Sequence, residues 1–124
     1  PNWLAGSFTV EAWVQRSATG VTHCILNKGD SQRRNYCMNI TSTGAIDFFW
    51  ETAGGTNHGT ESGTAITDAT WHHVACVYDQ ASSQNRIYLD GALIESASDS
   101  GTLMARRCFT SAASTHASRR FMSI

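Results

Sequence analysis

Proline is almost missing from this chain; the single one is Pro1. Turns must therefore be made by glycine, asparagine and aspartate, which reach tight backbone geometries by other means. Charge is scarce as well. Only 15% of residues are charged and the formal net charge is −1, so no electrostatic field draws the chain to nucleic acid or to an anionic membrane surface. No apolar run approaches the roughly 18–20 residues of a membrane-spanning helix, and no membrane insertion is expected. No basic stretch followed by an apolar one opens the chain in the manner of a secretion signal. No segment of useful length repeats its apolar residues every 3.6 positions, so little helix is expected. The cysteines Cys24, Cys37, Cys76 and Cys108 lack the C-x-x-C pairing of a zinc site. Cys24 and Cys37 fall in segments that read as neighbouring strands, where a cross-strand disulfide can form; the alternative is four small apolar core residues.

What the chain does have is alternation. Its 124 residues, 41% of them hydrophobic, suffice for one domain, 1–124, with a real core. Ser7–Arg16 (SFTVEAWVQR) places Phe8, Val10, Ala12 and Val14 on one face of a strand and Thr9, Glu11, Trp13 and Gln15 on the other. Thr22–Lys28, Asn35–Thr41 and Ala45–Glu51 read as three further strands. Thr52–Gly63 is rich in glycine and polar residues and reads as the longest loop, with Ala65 and Ile66 restarting a short strand. Trp71–Asp79, Arg86–Asp90 and Ala92–Ser96 follow as a meander. Asp90-Gly91 is a strong hairpin signal, because a type I′ turn needs positive φ at both central positions. Strands at this spacing with turn signals between them predict an all-β, two-sheet antiparallel sandwich.

Four pieces carry a resemblance: Gly6–Val14 (GSFTVEAWV), Ile25–Asp30 (ILNKGD), Trp71–Asp79 (WHHVACVYD) and Ile87–Ile94 (IYLDGALI). In this order and at roughly this spacing they resemble laminin-G-like domains of the concanavalin A-like jelly-roll superfamily, over Gly6 to about Met104. The resemblance implies two antiparallel sheets packed face to face. It also implies a non-catalytic module for carbohydrate recognition or adhesion, extracellular or at the cell surface, in some relatives with calcium. A domain of this kind usually has a strand before Ser7 and a "YIGG"-like strand near its end. Here 105–124 reads ARRCFTSAASTHASRRFMSI, without alternation. Codons for Arg106–Ile124 can be chosen so that a shifted frame spells ALFYIGGVHTRESAFHVD, which resembles that family strand. A sandwich truncated or frame-disrupted in this way would expose strand edges. Either the tail supplies a replacement strand or two chains pair into a homodimer.

The related glycoside hydrolases set two carboxylates close together on one strand, and a retaining pair stands roughly 5–5.5 Å apart. The nearest stretch here, Ala45–Glu51, offers Asp47 and Glu51 on one face but about 13 Å apart. Alanine stands at 45, where the first carboxylate belongs, so a hydrolase remnant is the least favoured reading and no enzyme is expected. His72 and His73 are strand neighbours facing opposite ways and cannot chelate one ion together. Asp30, Asp68, Asp79, Asp90 and Asp99 read as turn caps; a calcium ion, needing six to eight oxygens, would have to gather them from separate loops. The expected recognition surface is the Ala53–Gly63 loop with Asn57, His58, Thr60 and Glu61, and Trp50 as aromatic platform if its ring points outward; the alternative is a solvent loop with Trp50 buried. Its ligand would be a glycan or a protein surface.

Overall fold

A computed structural model describes residues 6–17, 19–29, 34–103 and 120–123. Among them are nine strands and no helix. They are β1 (Phe8–Gln15), β2 (His23–Gly29), β3 (Arg34–Ile40), β4 (Ala45–Glu51), β5 (Asn57–Thr64), β6 (Trp71–Asp79), β7 (Gln84–Leu89), β8 (Ala92–Ser98) and β9 (Arg120–Ser123). One sheet runs β8-β7-β6-β1-β9 and the other β2-β3-β4-β5. All pairings are antiparallel except that of β1 with β9.

The two sheets form a sandwich because β1, β2, β3, β4, β6 and β7 each turn apolar residues inward. β1 contributes Val10, Ala12 and Val14, β6 contributes Val74, Cys76 and Tyr78, and β7 contributes Ile87. Opposite them lie Ile25, Met38, Ile40, Ile46, Phe48 and Trp50, with Ile66 and Leu103 closing the ends. Phe8 sits among four rings, with centroids 5.9 Å from Tyr36, Phe48 and Tyr78 and 6.2 Å from Trp50. Aromatic pairs of this kind contribute about 0.5–1.5 kcal/mol each beyond the area they bury.

The structure decides three of these expectations. First, β5 occupies Asn57–Thr64, so the long loop shrinks to Thr52–Thr56. Ala65 and Ile66 start no strand; their N–H groups donate to the Gly44 carbonyl at 3.1 and 3.0 Å. Second, no disulfide joins Cys24, Cys37 or Cys76, of which Cys37 and Cys76 are buried as small core residues and Cys24 is exposed. Cys24 pairs in register with Asn39, and Cys37 with Asn27, so the two cysteines are not opposite each other; Cys108 lies outside the described residues. Third, part of the atypical tail is a strand. β9 lies beside Ala12–Gln15 and covers that edge of β1. The 90–91 hairpin forms as the turn chemistry demands, with φ of 50° at Asp90 and 84° at Gly91.

Candidate functional site

Because Ile46, Phe48 and Trp50 face the core, alternation turns Asp47, Phe49 and Glu51 to the outer face of the four-stranded sheet. The register extends this face sideways. Asp47 pairs with Asn39 on one side and Glu61 on the other; Phe49 with Cys37 and Gly59; Glu51 with Asn57. Asn27 on β2 continues the row of Cys37. The result is a grid of amides and carboxylates with Phe49 at its centre. Asn39 Nδ2 donates to Asp47 Oδ2 at 3.3 Å. Asn57 and Glu61 are exposed, Asp47 and Phe49 half-buried, and Glu51 is buried at 8% exposure. Glu51 is therefore not the solvent-facing carboxylate its polarity suggests. Among the described residues, none of Asp47, Glu51 and Glu61 takes part in an ion pair.

Gly59 is required in this grid. A Cβ there would stand 2.2 Å from the Phe48 carbonyl and 2.7 Å from Cα and Cβ of Phe49.

Of the expected site residues, Asn57 and Glu61 reach the outer face, while Trp50 and His58 turn the other way. Trp50 is fully buried, so the outward ring required of a platform is not there. Its Nε1 donates to Asn85 Oδ1 at 3.0 Å, and its ring stacks on His58 at 4.6 Å. His58 Nδ1 lies 2.5 Å from Asp99 Oδ1. Asp99 Oδ2 accepts from Gly59 N and from Asn85 Nδ2, each at 2.9 Å. These residues brace β5 from behind.

His72, His73, Asp68, Asp79 and Asp90 are tied into structure. His72 lies between Asp90 Oδ2 at 2.7 Å and Asp68 Oδ1 at 3.0 Å. Hydrogen bonding to Asp90 first, then to Asp68, raises the His72 pKa above its ordinary 6.5, against the opposing effect of burial. Asp68 is drawn down to about 2, chiefly by the Thr70 hydroxyl and N–H. Asp90 is lowered by His72 and by the His73 N–H. His73 pairs with Glu11 at 3.0 Å on the outer face of the other sheet. Asp79 caps Ala81 and Ser82 and pairs with Arg86. Burial raises the Cys76 thiol far above its usual range, so it offers no nucleophile. Among the described residues no three His, Cys, Asp or Glu side chains are grouped to hold a metal ion. Asp30 lies outside the described residues.

A groove of about 310 Å³ opens between β5 and β8, lined by Ser62, Gly63, Thr64, Ala65, Leu89 and Ile94. The Ser62 hydroxyl is already engaged, accepting from Ile46 N at 2.9 Å and donating to the Gly63 carbonyl at 2.7 Å. The outer grid is the richer site.

A sequence model of the concanavalin A-like lectin/glucanases superfamily, of laminin-G type, matches residues 1–122. The chain belongs to this superfamily. The match runs beyond the expected Gly6–Met104 at both ends and reaches into β9. Solved structures share the superfamily's fold at low identity. The CBM40 domain of Ruminococcus gnavus IT-sialidase, bound to α2,3-sialyllactose, aligns with TM-score 0.66 and 17% identity over 82% of this chain and 57% of that one. The binding domain of Paraclostridial Mosquitocidal Protein 1 gives 0.61 and 17% over 79% and 27%. The SAP-like pentraxin of Limulus polyphemus gives 0.53 and 16% over 78% and 47%. The chain thus spans less than two thirds of each of these structures. No curated protein sequence matches the chain. Within the superfamily fold, sequence reasoning had recorded Asp47 and Glu51 only as a failed hydrolase pair and left Phe49 and Asn39 out. The register of β3, β4 and β5 joins them to Asn57 and Glu61.

Proposed function

We propose that this protein is a non-catalytic module that binds glycans on the outer face of its four-stranded sheet. The observation that carries this reading is the grid itself, in which Asn27, Asn39, Asp47, Asn57 and Glu61 surround Phe49. Sugars present hydroxyl groups to amides and carboxylates and a C–H face to an aromatic ring. A few placed polar groups around an apolar contact suit such a ligand. Asn57 and Glu61 are the contact residues, and Trp50 and His58 hold β5 in place. The R. gnavus CBM40 domain, which shares the fold, was solved with a sialylated sugar, and this supports glycan binding as the general task. Without a carboxylate at position 45 there is no retaining pair along β4, so binding without turnover is expected. A glycan array on protein of known solution mass tests the reading. Binding lost in Phe49→Ala and in Asn57→Ala/Glu61→Gln, with sugars recovered intact, supports it; binding unchanged in both variants sinks it.

Self-association is a second reading, supported by β8. It is the edge strand of its sheet, with Leu93 and Ile94 at 53% and 37% exposure. A strictly monomeric mass by light scattering would remove it, and a dimer dissociated by Leu93→Lys would support it.

A further inference from the structure

One asparagine of the grid stands in a triplet with a chemistry of its own. Asn39-Ile40-Thr41 reads N-x-T, with no proline at its centre. None of the other asparagines, Asn2, Asn27, Asn35, Asn57 and Asn85, has Ser or Thr two positions on. N-x-T is the acceptor pattern for N-linked glycans. The pattern is short, so its place in the fold decides whether a sugar fits.

Met38 and Ile40 are buried in the core, and alternation turns Asn39 to the outer face of the four-stranded sheet. Asn39 is the next-to-last residue of β3, just before the turn closed by Gly44 N on the Thr41 carbonyl at 2.9 Å. The residue is half-buried, with exposed Cys24 in register on one side and half-buried Asp47 on the other. By contrast, Asn35 and Asn85 are 1% and 0% exposed. The hydrogen bonds of the Asn39 amide are compatible with attachment. Its Nδ2 donates to Asp47 Oδ2 at 3.3 Å, and its Oδ1 accepts from Cys37 Sγ at 3.2 Å. A side-chain amide has two N–H donors. Glycosylation replaces one hydrogen by carbon, so one donor remains for Asp47 and the carbonyl remains for Cys37.

We propose that Asn39 is an acceptor for N-linked glycosylation and that the attached glycan covers the grid. The donor is an oligosaccharide on a polyprenyl diphosphate, as eukaryotic secretory compartments supply. The Nδ2 lone pair forms the bond to the anomeric carbon. The bond from that carbon to the diphosphate oxygen breaks, and the lipid diphosphate leaves with the electron pair. One Nδ2 proton passes to a carboxylate of the transferase. The first pyranose then stands beside Asp47, with Glu61 across from Asp47 on β5. The Cys37–Phe49 row lies two residues away, about 7 Å along the strand. The glycan thus takes the space that a free sugar would occupy over Phe49, and this second part rests on the glycan-binding reading.

Wild type and Asn39→Gln, each secreted from a eukaryotic cell line behind a cleavable leader, are weighed before and after peptide-N-glycosidase treatment. The wild type should carry a glycan that digestion removes and that Asn39→Gln lacks. Glycopeptide mapping of the wild type should place it on Asn39, however the variant folds. Thr41→Ser keeps the acceptor hydroxyl and should still be glycosylated. Wild-type protein recovered from the secretory pathway without a glycan on Asn39 overturns the assignment. Covering is read by calorimetric titration of glycosylated and unglycosylated wild type with N-acetylglucosamine oligomers, galactose oligomers and α2,3-sialyllactose. Any of these that binds the unglycosylated protein should bind the glycosylated one about tenfold or more weakly. Equal affinity overturns the covering while the acceptor assignment stands. Failure of every probe to bind unglycosylated protein with normal thermal unfolding overturns the glycan-binding reading and the covering together, and leaves the acceptor assignment to the mass data.

Discussion

His58 on β5 and Asp99 beyond β8 meet at 2.5 Å, Nδ1 to Oδ1, so the last residues before the tail clamp the edge strand of the opposite sheet. The same carboxylate accepts from Gly59 N, Asn85 Nδ2 and Ser100 N, each at 2.9 Å. Asn85 in turn accepts the Trp50 indole N–H. A carboxylate can accept all four bonds; an amide, with a donor in place of one oxygen, cannot. Asp99→Ala should therefore destabilise the fold by about 2–4 kcal/mol, because it strands several part-buried donors at once. Asp99→Asn should recover less than half of that loss. Urea unfolding of the three proteins decides, and an Asn variant as stable as the wild type would show that the network does not depend on the charge.

Arg16 plays a comparable part at the other end of the sandwich. At 3% exposure it donates to the Ile66 carbonyl at 3.1 Å, to Thr41 at 3.2 Å and to Ser42 at 2.7 Å. Gly44 lets this happen: with φ of 88°, a Cβ there would lie 2.2 Å from the Ile66 carbonyl and 2.8 Å from Arg16 Nη1. A lysine offers a point charge instead of a planar fork. Arg16→Lys should cost about 2–3 kcal/mol, and Gly44→Ala at least as much. Denaturant midpoints for the two single variants and the double variant give the check. Their effects should be less than additive, since both disturb one contact.

The strands that could be read from the sequence are those whose buried face is apolar. β4 has the expected bounds, Ala45–Glu51, and so does β6, Trp71–Asp79, because Ile, Phe, Val and Tyr alternate there with other residues. β5 was hidden because its inward residues are His58, Thr60 and Ser62, held by hydrogen bonds rather than by apolar burial. Alternation along β4 separated Phe48 and Trp50 from Asp47 and Glu51. It could not show that Asn39 and Glu61 flank Asp47, because register across strands is set by turn lengths and the bulge at β4–β5, not by local pattern. The His58–Asp99 clamp joins residues 41 positions apart and left no local trace.

The His72 clamp gives the fold a pH dependence of predictable sign. His72 is raised by Asp90 and Asp68, so its contribution is full below its ordinary 6.5 and is lost as pH rises through the raised folded value. Asp68 and Asp90 are lowered, so theirs is present above their ordinary 3.8 and lost as pH falls through the lowered values. The three together act between those limits. The thermal midpoint of the wild type should exceed that of His72→Gln most clearly at about pH 5–6, and the gap should narrow on the alkaline side. A gap that widens with rising pH would mean that neutral His72 is the stabilising form.

Phe49 and Trp50 are neighbours on β4 with opposite faces, and the pair separates binding from folding. Trp50 is fully buried, 4.3 Å from Tyr78 and 4.6 Å from His58 by ring centroids. Trp50→Ala should cost about 3–5 kcal/mol of stability and lower glycan binding only through the loss of folded protein. Trp50→Phe keeps a ring but strands the Asn85 acceptor, and should cost about 1–3 kcal/mol with affinity unchanged in the folded fraction. Phe49 lies on the outer face beside Gly59. Phe49→Ala should weaken binding by about tenfold or more, the loss expected when an aromatic contact is removed from a small site, and should cost less stability than Trp50→Ala. Unfolding and titration on the same preparations yield both quantities. A Phe49→Ala protein that binds as the wild type does would move the site off this face, whatever the stability data show.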